Sequence, residues 1–102
     1  MTHHGEYKVP GGKLVKVDFA LADDTLHEVV VSGDFFLYPE ETLDDIRAAL
    51  EGLAASTDEA GIADHVRSRI DPGAELLGTS PEAIAIAVRR ALAAPAEAGA
   101  TS

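Results

Sequence analysis

Lys13-Leu14-Val15-Lys16-Val17-Asp18-Phe19-Ala20, followed across a polar Ala22-Asp23-Asp24-Thr25 turn by Leu26-His27-Glu28-Val29-Val30-Val31-Ser32, decides the fold. Both segments alternate side to side, the mark of half-buried strands joined by a short connection. In the first, Val15, Val17 and Phe19 share one face, opposite Leu14, Lys16, Asp18 and Ala20. In the second, His27, Val29 and Val31 share a face, opposite Leu26, Glu28, Val30 and Ser32.

Outward to the N-terminus, Glu6-Tyr7-Lys8-Val9 reads as a short strand running into Pro10-Gly11-Gly12. Proline pre-sets the first turn position and glycine accepts a positive φ at the next, so a tight hairpin is expected there. Residues 1–5 read as a disordered, frayed end, with His3 and His4 too few for a metal site. Outward to the C-terminus, Gly33-Asp34 interrupts the alternation before Phe35-Phe36-Leu37-Tyr38. A glycine in such a pattern marks a bulge or a close backbone approach.

The periodicity then becomes helical. Pro39, Glu40 and Glu41 suit a helix start, and Leu43, Ile46, Leu50 and Leu53 form its apolar stripe before Gly52 helps to end it. A second helix is expected after Ser56 or Thr57, carrying Ile62, Val66 and Ile70 and stopped by Asp71-Pro72-Gly73. Ser80-Pro81-Glu82 opens a third, whose core face is Ile84, Ala87, Val88, Ala91 and Leu92. Its last turn carries Arg89 and Arg90, where cations meet the negative end of the helix dipole. The expected class is α+β: a three-stranded antiparallel meander followed by three helices packed on one face. One domain over residues 6–94 and a flexible tail over 95–102 complete the division.

Eighteen acidic against eight basic residues give a net charge of −10 in 102 residues. Nucleic-acid binding rests on clustered Lys and Arg, so that partner class is not expected. No segment approaches the ~20 apolar residues of a membrane span, and no cationic start followed by an apolar run suggests a secretory signal. Zero cysteines remove thiolate catalysis, zinc knuckles and iron–sulfur ligation, and fit a reducing, cytoplasmic setting.

Catalytic signatures are missing too. Gly12-Lys13 imitates the end of a phosphate-binding P-loop, but Tyr7 and Leu14 stand where glycine and Ser or Thr are needed, and the stretch leads into a strand. No Gly-x-Ser-x-Gly elbow occurs. Asp23-Asp24, Glu40-Glu41 and Asp44-Asp45 lie in turns or on solvent faces, and neither His27 nor His65 has a neighbouring ligand set. Two features stand apart. Phe35 and Phe36 face opposite sides, so one of them points outward as interface residues do, unless a bulge and covering chain bury both. Lys8, Lys13 and Lys16 are all the lysines in the chain and cluster at the first hairpin. They suit a phosphate or carboxylate partner, or else keep an edge strand soluble.

Gly5-Glu6-Tyr7-Lys8-Val9-Pro10-Gly11-Gly12-Lys13-Leu14-Val15-Lys16-Val17 and Val31-Ser32-Gly33-Asp34-Phe35-Phe36-Leu37-Tyr38-Pro39-Glu40-Glu41 resemble the accessory domain of lipoate-protein ligases, with the match running from Gly5 to about Leu53. In that family the domain is either the C-terminal part of the ligase or a separate small subunit beside a catalytic one. The resemblance implies a non-catalytic subunit required for activation of lipoate to lipoyl-AMP. Lipoate, ATP and magnesium are then expected on the catalytic subunit, with none bound by this chain alone. It implies lipoyl-acceptor domains as indirect partners, and a fold similar to iron–sulfur scaffold proteins, whose activity the missing cysteines exclude. On this reading Lys13, and less so Lys8, lies near the phosphates, while Gly33, Asp34, Phe35 and Phe36 hold the hairpin or face the partner. Self-association of the isolated chain through that face, with Ile86 adding to it, is a further expectation. A lipoyl carrier, an independent small enzyme and a generic interaction module are the rival readings; three helices argue against the first and the missing catalytic set against the second.

Overall fold

A computed structural model describes residues 2–93. β1 (Thr2–Lys8), β2 (Leu14–Ala22) and β3 (Thr25–Gly33) form an antiparallel sheet in the order β1-β2-β3. Then come β4 (Phe36–Tyr38), α1 (Thr42–Leu50), α2 (Glu59–Arg69), β5 (Glu75–Leu77) and α3 (Pro81–Ala93). The chain is α+β, with one three-stranded antiparallel sheet and three helices. α3 lies across β1 and β2, α1 lies against β3, and α2 packs on both of those helices.

The core is the face of the sheet that alternation marks in β2: Val15, Val17 and Phe19 are buried beneath Ile46, Leu50, Ile62, Val66, Ile84 and Val88. In β3 the face differs from the alternation. Leu26 is fully buried together with Val29 and Val31, and His27 is left half-buried. The cause is a β-bulge: two steps along β2, from Asp18 to Ala20, oppose three along β3, from Val30 to His27. Glu28 takes a positive φ of 55° there, which turns Leu26 back onto the core side. Gly33 is not the bulge. It still pairs with Val15 and is a close-approach glycine, since a Cβ on it would lie 2.1 Å from the Leu14 carbonyl oxygen.

The N-terminal residues also differ from the reading of 1–5 as frayed: Thr2 to Gly5 continue β1 and pair with Val17 to Ala20. Two of their contacts lie on the core side. The His3 ring stacks on Phe19 with centroids 5.6 Å apart, and Gly5 lets the strand backbone pass directly under α3. The tail over 95–102, the domain boundary at 94 and Met1 lie outside the described residues.

α2 and α3 start where short polar side chains cap them, one position from the expected place in α2. Asp58 accepts from the Gly61 amide at 2.8 Å, and Ser80 from the Ala83 amide at 3.0 Å. α1 begins at Thr42 rather than Pro39, which follows a cis peptide and sits in a turn. Arg89, expected only to meet the helix dipole, also donates to the Ala55 and Thr57 carbonyls at 3.0 and 3.1 Å and ties the α1–α2 connection to α3.

Candidate functional site

The β1–β2 turn is closed by the Gly12 amide donating to the Val9 carbonyl at 2.8 Å and the Val9 amide donating to the Lys13 carbonyl at 3.1 Å. Gly11, with φ of 72°, supplies the positive dihedral that the Pro-Gly pair requires. The Lys13 amide then donates to the Gly78 carbonyl at 3.1 Å, which joins this hairpin to the segment leading into α3. A Cβ at Gly78 would lie 2.5 Å from Lys13 Cγ and 3.6 Å from Phe35 Cβ. Phe35 in turn packs against Gly33, and the Asp34 amide donates to the Leu14 carbonyl at 3.2 Å.

Lys13 and Phe35 therefore meet at Gly78, while Gly33 and Asp34 are held at the Leu14 carbonyl beside Phe35. Lys8 is exposed at the end of β1 and takes no part in these contacts. Phe36 turns the other way: 60 % exposed, it pairs with Leu77 across the β4–β5 ribbon, and with Tyr38 and Leu77 it makes an apolar outer surface. Phe35 is partly buried against the core, so the aromatic pair is split as their strand parity requires.

Sequence reasoning missed two residues of this site. Gly78, with φ of 90°, stands beside Lys13, and next to it in sequence is Thr79, whose buried Oγ1 has no hydrogen-bond partner among the described residues. The only signal was Gly-Thr ahead of the Ser80-Pro81 helix start, and cap residues alone do not announce a contact across the fold. β5 was missed with them, because three residues cannot show alternation.

The electrostatics separate two lysine settings. Every ion pair among the described residues is made by an arginine or a histidine, so Lys8 and Lys13 have no internal carboxylate partner. On the outer face of the sheet, His4 lies between two carboxylates, with Nε2 2.7 Å from Glu6 and Nδ1 2.6 Å from Asp18. Ionised carboxylates only accept, so this pair of contacts favours a ring that donates from both nitrogens, the cation. The hydrogen bond to Glu6, then that to Asp18, raises the His4 pKa above 6.5, and the same contact lowers Glu6 below 4.5. The carboxylates engage opposite ring edges and leave no shared point for a metal; no group of three or more potential metal ligands occurs among the described residues.

A pH dependence follows. The contribution of His4 is complete below the ordinary histidine value of 6.5 and is lost as pH rises through its raised folded value. That of Glu6 is complete above 4.5 and is lost as pH falls through its lowered folded value. His4→Gln is expected to lower urea-unfolding stability at pH 5.5 slightly more than at pH 8.5, the effect being small at so exposed a site. Equal losses at both values would show that His4 carries no charge in the fold.

Among the described residues no helix is long and apolar enough to cross a membrane. What the fold and this cluster define is a small α+β domain presenting, on a hairpin, a lysine with no carboxylate partner among the described residues, and beside it an apolar β4–β5 surface. No family model and no curated protein matches the sequence. Among solved structures, the chain superimposes with a TM-score of 0.71 on one from an archaeal lipoylation system, described as a bi-partite lipoate protein ligase and its E2 lipoyl domain from Thermoplasma acidophilum. Identity is 26 %, and the match covers 87 % of this chain and 96 % of that one. The likeness relates this chain to a component of a lipoylation system.

Proposed function

We propose that this chain is the accessory subunit of a bipartite lipoate-protein ligase. It acts with a catalytic subunit in the ATP-dependent activation of lipoate to lipoyl-AMP. In that step the lipoate carboxylate displaces pyrophosphate from the α-phosphate of ATP. The observation that supports the reading best is the match over 96 % of a chain from a system built on a bi-partite ligase. That system also contains a lipoyl domain, but three helices on a three-stranded sheet are unlike the all-strand barrels of lipoyl carriers.

In this reading lipoate, ATP and magnesium sit on the catalytic subunit, and lipoyl-acceptor domains meet the pair indirectly. Docking orders a loop of the catalytic subunit around the adenylate and lowers the cost of assembling that site. Lys13 suits the neighbourhood of the phosphates because its charge has no carboxylate partner among the described residues and its backbone is pinned to Gly78.

Pyrophosphate release by the cognate catalytic subunit, with lipoate and ATP, tests the proposal. Release is expected to depend on this chain, with none from the chain alone. Equal release with and without it would leave a binding module unrelated to activation. Acylation of Lys13 itself, seen as a mass shift, would make the chain a carrier instead.

A further inference from the structure

The free edge of β3 is closed along most of its length. The Asp24 carbonyl accepts from the Ala55 amide at 2.8 Å, the Leu26 carbonyl from Gly52 at 2.7 Å, and the Leu26 amide donates to Leu53 at 3.0 Å. Past the bulge, the Glu51 carboxylate accepts from the Glu28 and Val29 amides, and Arg47 Nε donates to the Val29 carbonyl at 3.1 Å. Both polar groups of Val29 thus point away from β2. Along a strand that direction recurs every second residue, so those of Val31 and Gly33 point the same way. The Asp34 amide bonding back to Leu14 confirms the parity.

Val31 is the first rung with nothing on it: among the described residues no group bonds its amide or carbonyl on this side. The rung opens into a cleft of about 500 Å³ lined on one side by Val31, Ser32 and Gly33 and on the other by Phe35 to Tyr38. β4 is paired only on its β5 side, so the cleft lies between the ends of two sheets. Its rim is apolar through Phe36 and Tyr38, and among the described residues the only charged side chain lining it is Glu40. On the opposite edge of the sheet Arg90 takes the Glu6 carbonyl, and the neighbouring side chains are charged.

We infer that this cleft is a strand-addition site. An extended segment of the catalytic subunit pairs with β3 at Val31, lays alternate apolar side chains against Phe36 and Tyr38, and sets a cation against Glu40. An unpaired strand rung specifies an extended backbone, which a helix or a small molecule does not satisfy. Glu40 at the apolar rim and a chain net charge of −10 select a basic flank. The inference rests on the two-subunit reading above.

Residue-resolved amide hydrogen exchange of the labelled chain, free and saturated with the catalytic subunit, tests it. The Val31 amide is expected to exchange at least roughly tenfold more slowly in the complex, with Val29 unchanged because it is already bonded. Phe36→Ala, at a site exposed in the free chain, is expected to weaken the complex about 30-fold while leaving unfolding unaltered. A saturated, active complex in which Val31 still exchanges at the free rate overturns the inference and leaves the subunit reading standing. Absence of any complex overturns both. Protection that grows with the concentration of the free chain makes the occupant a second copy and overturns it as well.

Discussion

Gly5→Ala is expected to destabilise the fold by about 3 kcal/mol, among the larger costs of overpacking. A Cβ on Gly5 would lie 2.2 Å from the Ala87 carbonyl oxygen, 2.6 Å from the Ala91 amide nitrogen and 2.9 Å from Ala91 Cβ. The first two are helix backbone, so nothing can rotate aside; β1 or α3 has to move as a whole. Contrast Gly61, where an added Cβ would meet Thr57 Cγ2 and Asp58 Oδ1, both ends of side chains. Thermal unfolding is the direct check, with a midpoint lowered by on the order of 15 °C for a domain of this size. A change of less than about 2 °C would mean that strand and helix are further apart than described.

Lys13→Ala carries the largest expected effect on activity. If its ammonium meets phosphate charge developing during adenylate formation, its loss slows pyrophosphate release by the complex on the order of 100-fold. Unfolding should be unaffected, since Lys13 contributes its backbone, and not a side-chain ion pair, to the Gly78 contact. Lys8→Ala should cost far less, because Lys8 lies outside the cluster. Lys13→Arg should recover part of the rate, which a purely structural role would not predict. Unchanged release by Lys13→Ala would remove that lysine from the nucleotide's surroundings.

The fold was legible wherever one periodicity ran unbroken. β2 and the core stripe of α3 were read correctly because Val15, Val17 and Phe19, and then Ile84, Ala87, Val88 and Ala91, repeat without interruption. β3 misled over Leu26 and His27, since no local signal marks Glu28 for a left-handed conformation; the Glu51 carboxylate that caps its amide lies 23 residues away. The frayed reading of residues 2–5 failed for a related reason. His3, His4 and Gly5 look irregular alone, and only the partners Phe19, Asp18 and α3 make a strand of them. At the site, Lys13 and Phe35 were singled out from sequence, whereas Gly78, against which both lie, is a residue whose importance exists only in three dimensions.

The contact between β1 and α3 also bears on how the chain is made. His3 reaches the Ala91 carbonyl across 88 positions and Arg90 reaches the Glu6 carbonyl across 84. β1 therefore leaves the ribosome well ahead of α3 and waits for it before its inner face is covered. The nascent meander holds Val15, Val17 and Phe19 open to water until α3 emerges, and contacts of such span slow the final collapse. Synthesis, rather than the finished protein, is the stage at which this small acidic domain is most exposed to aggregation and to chaperone capture.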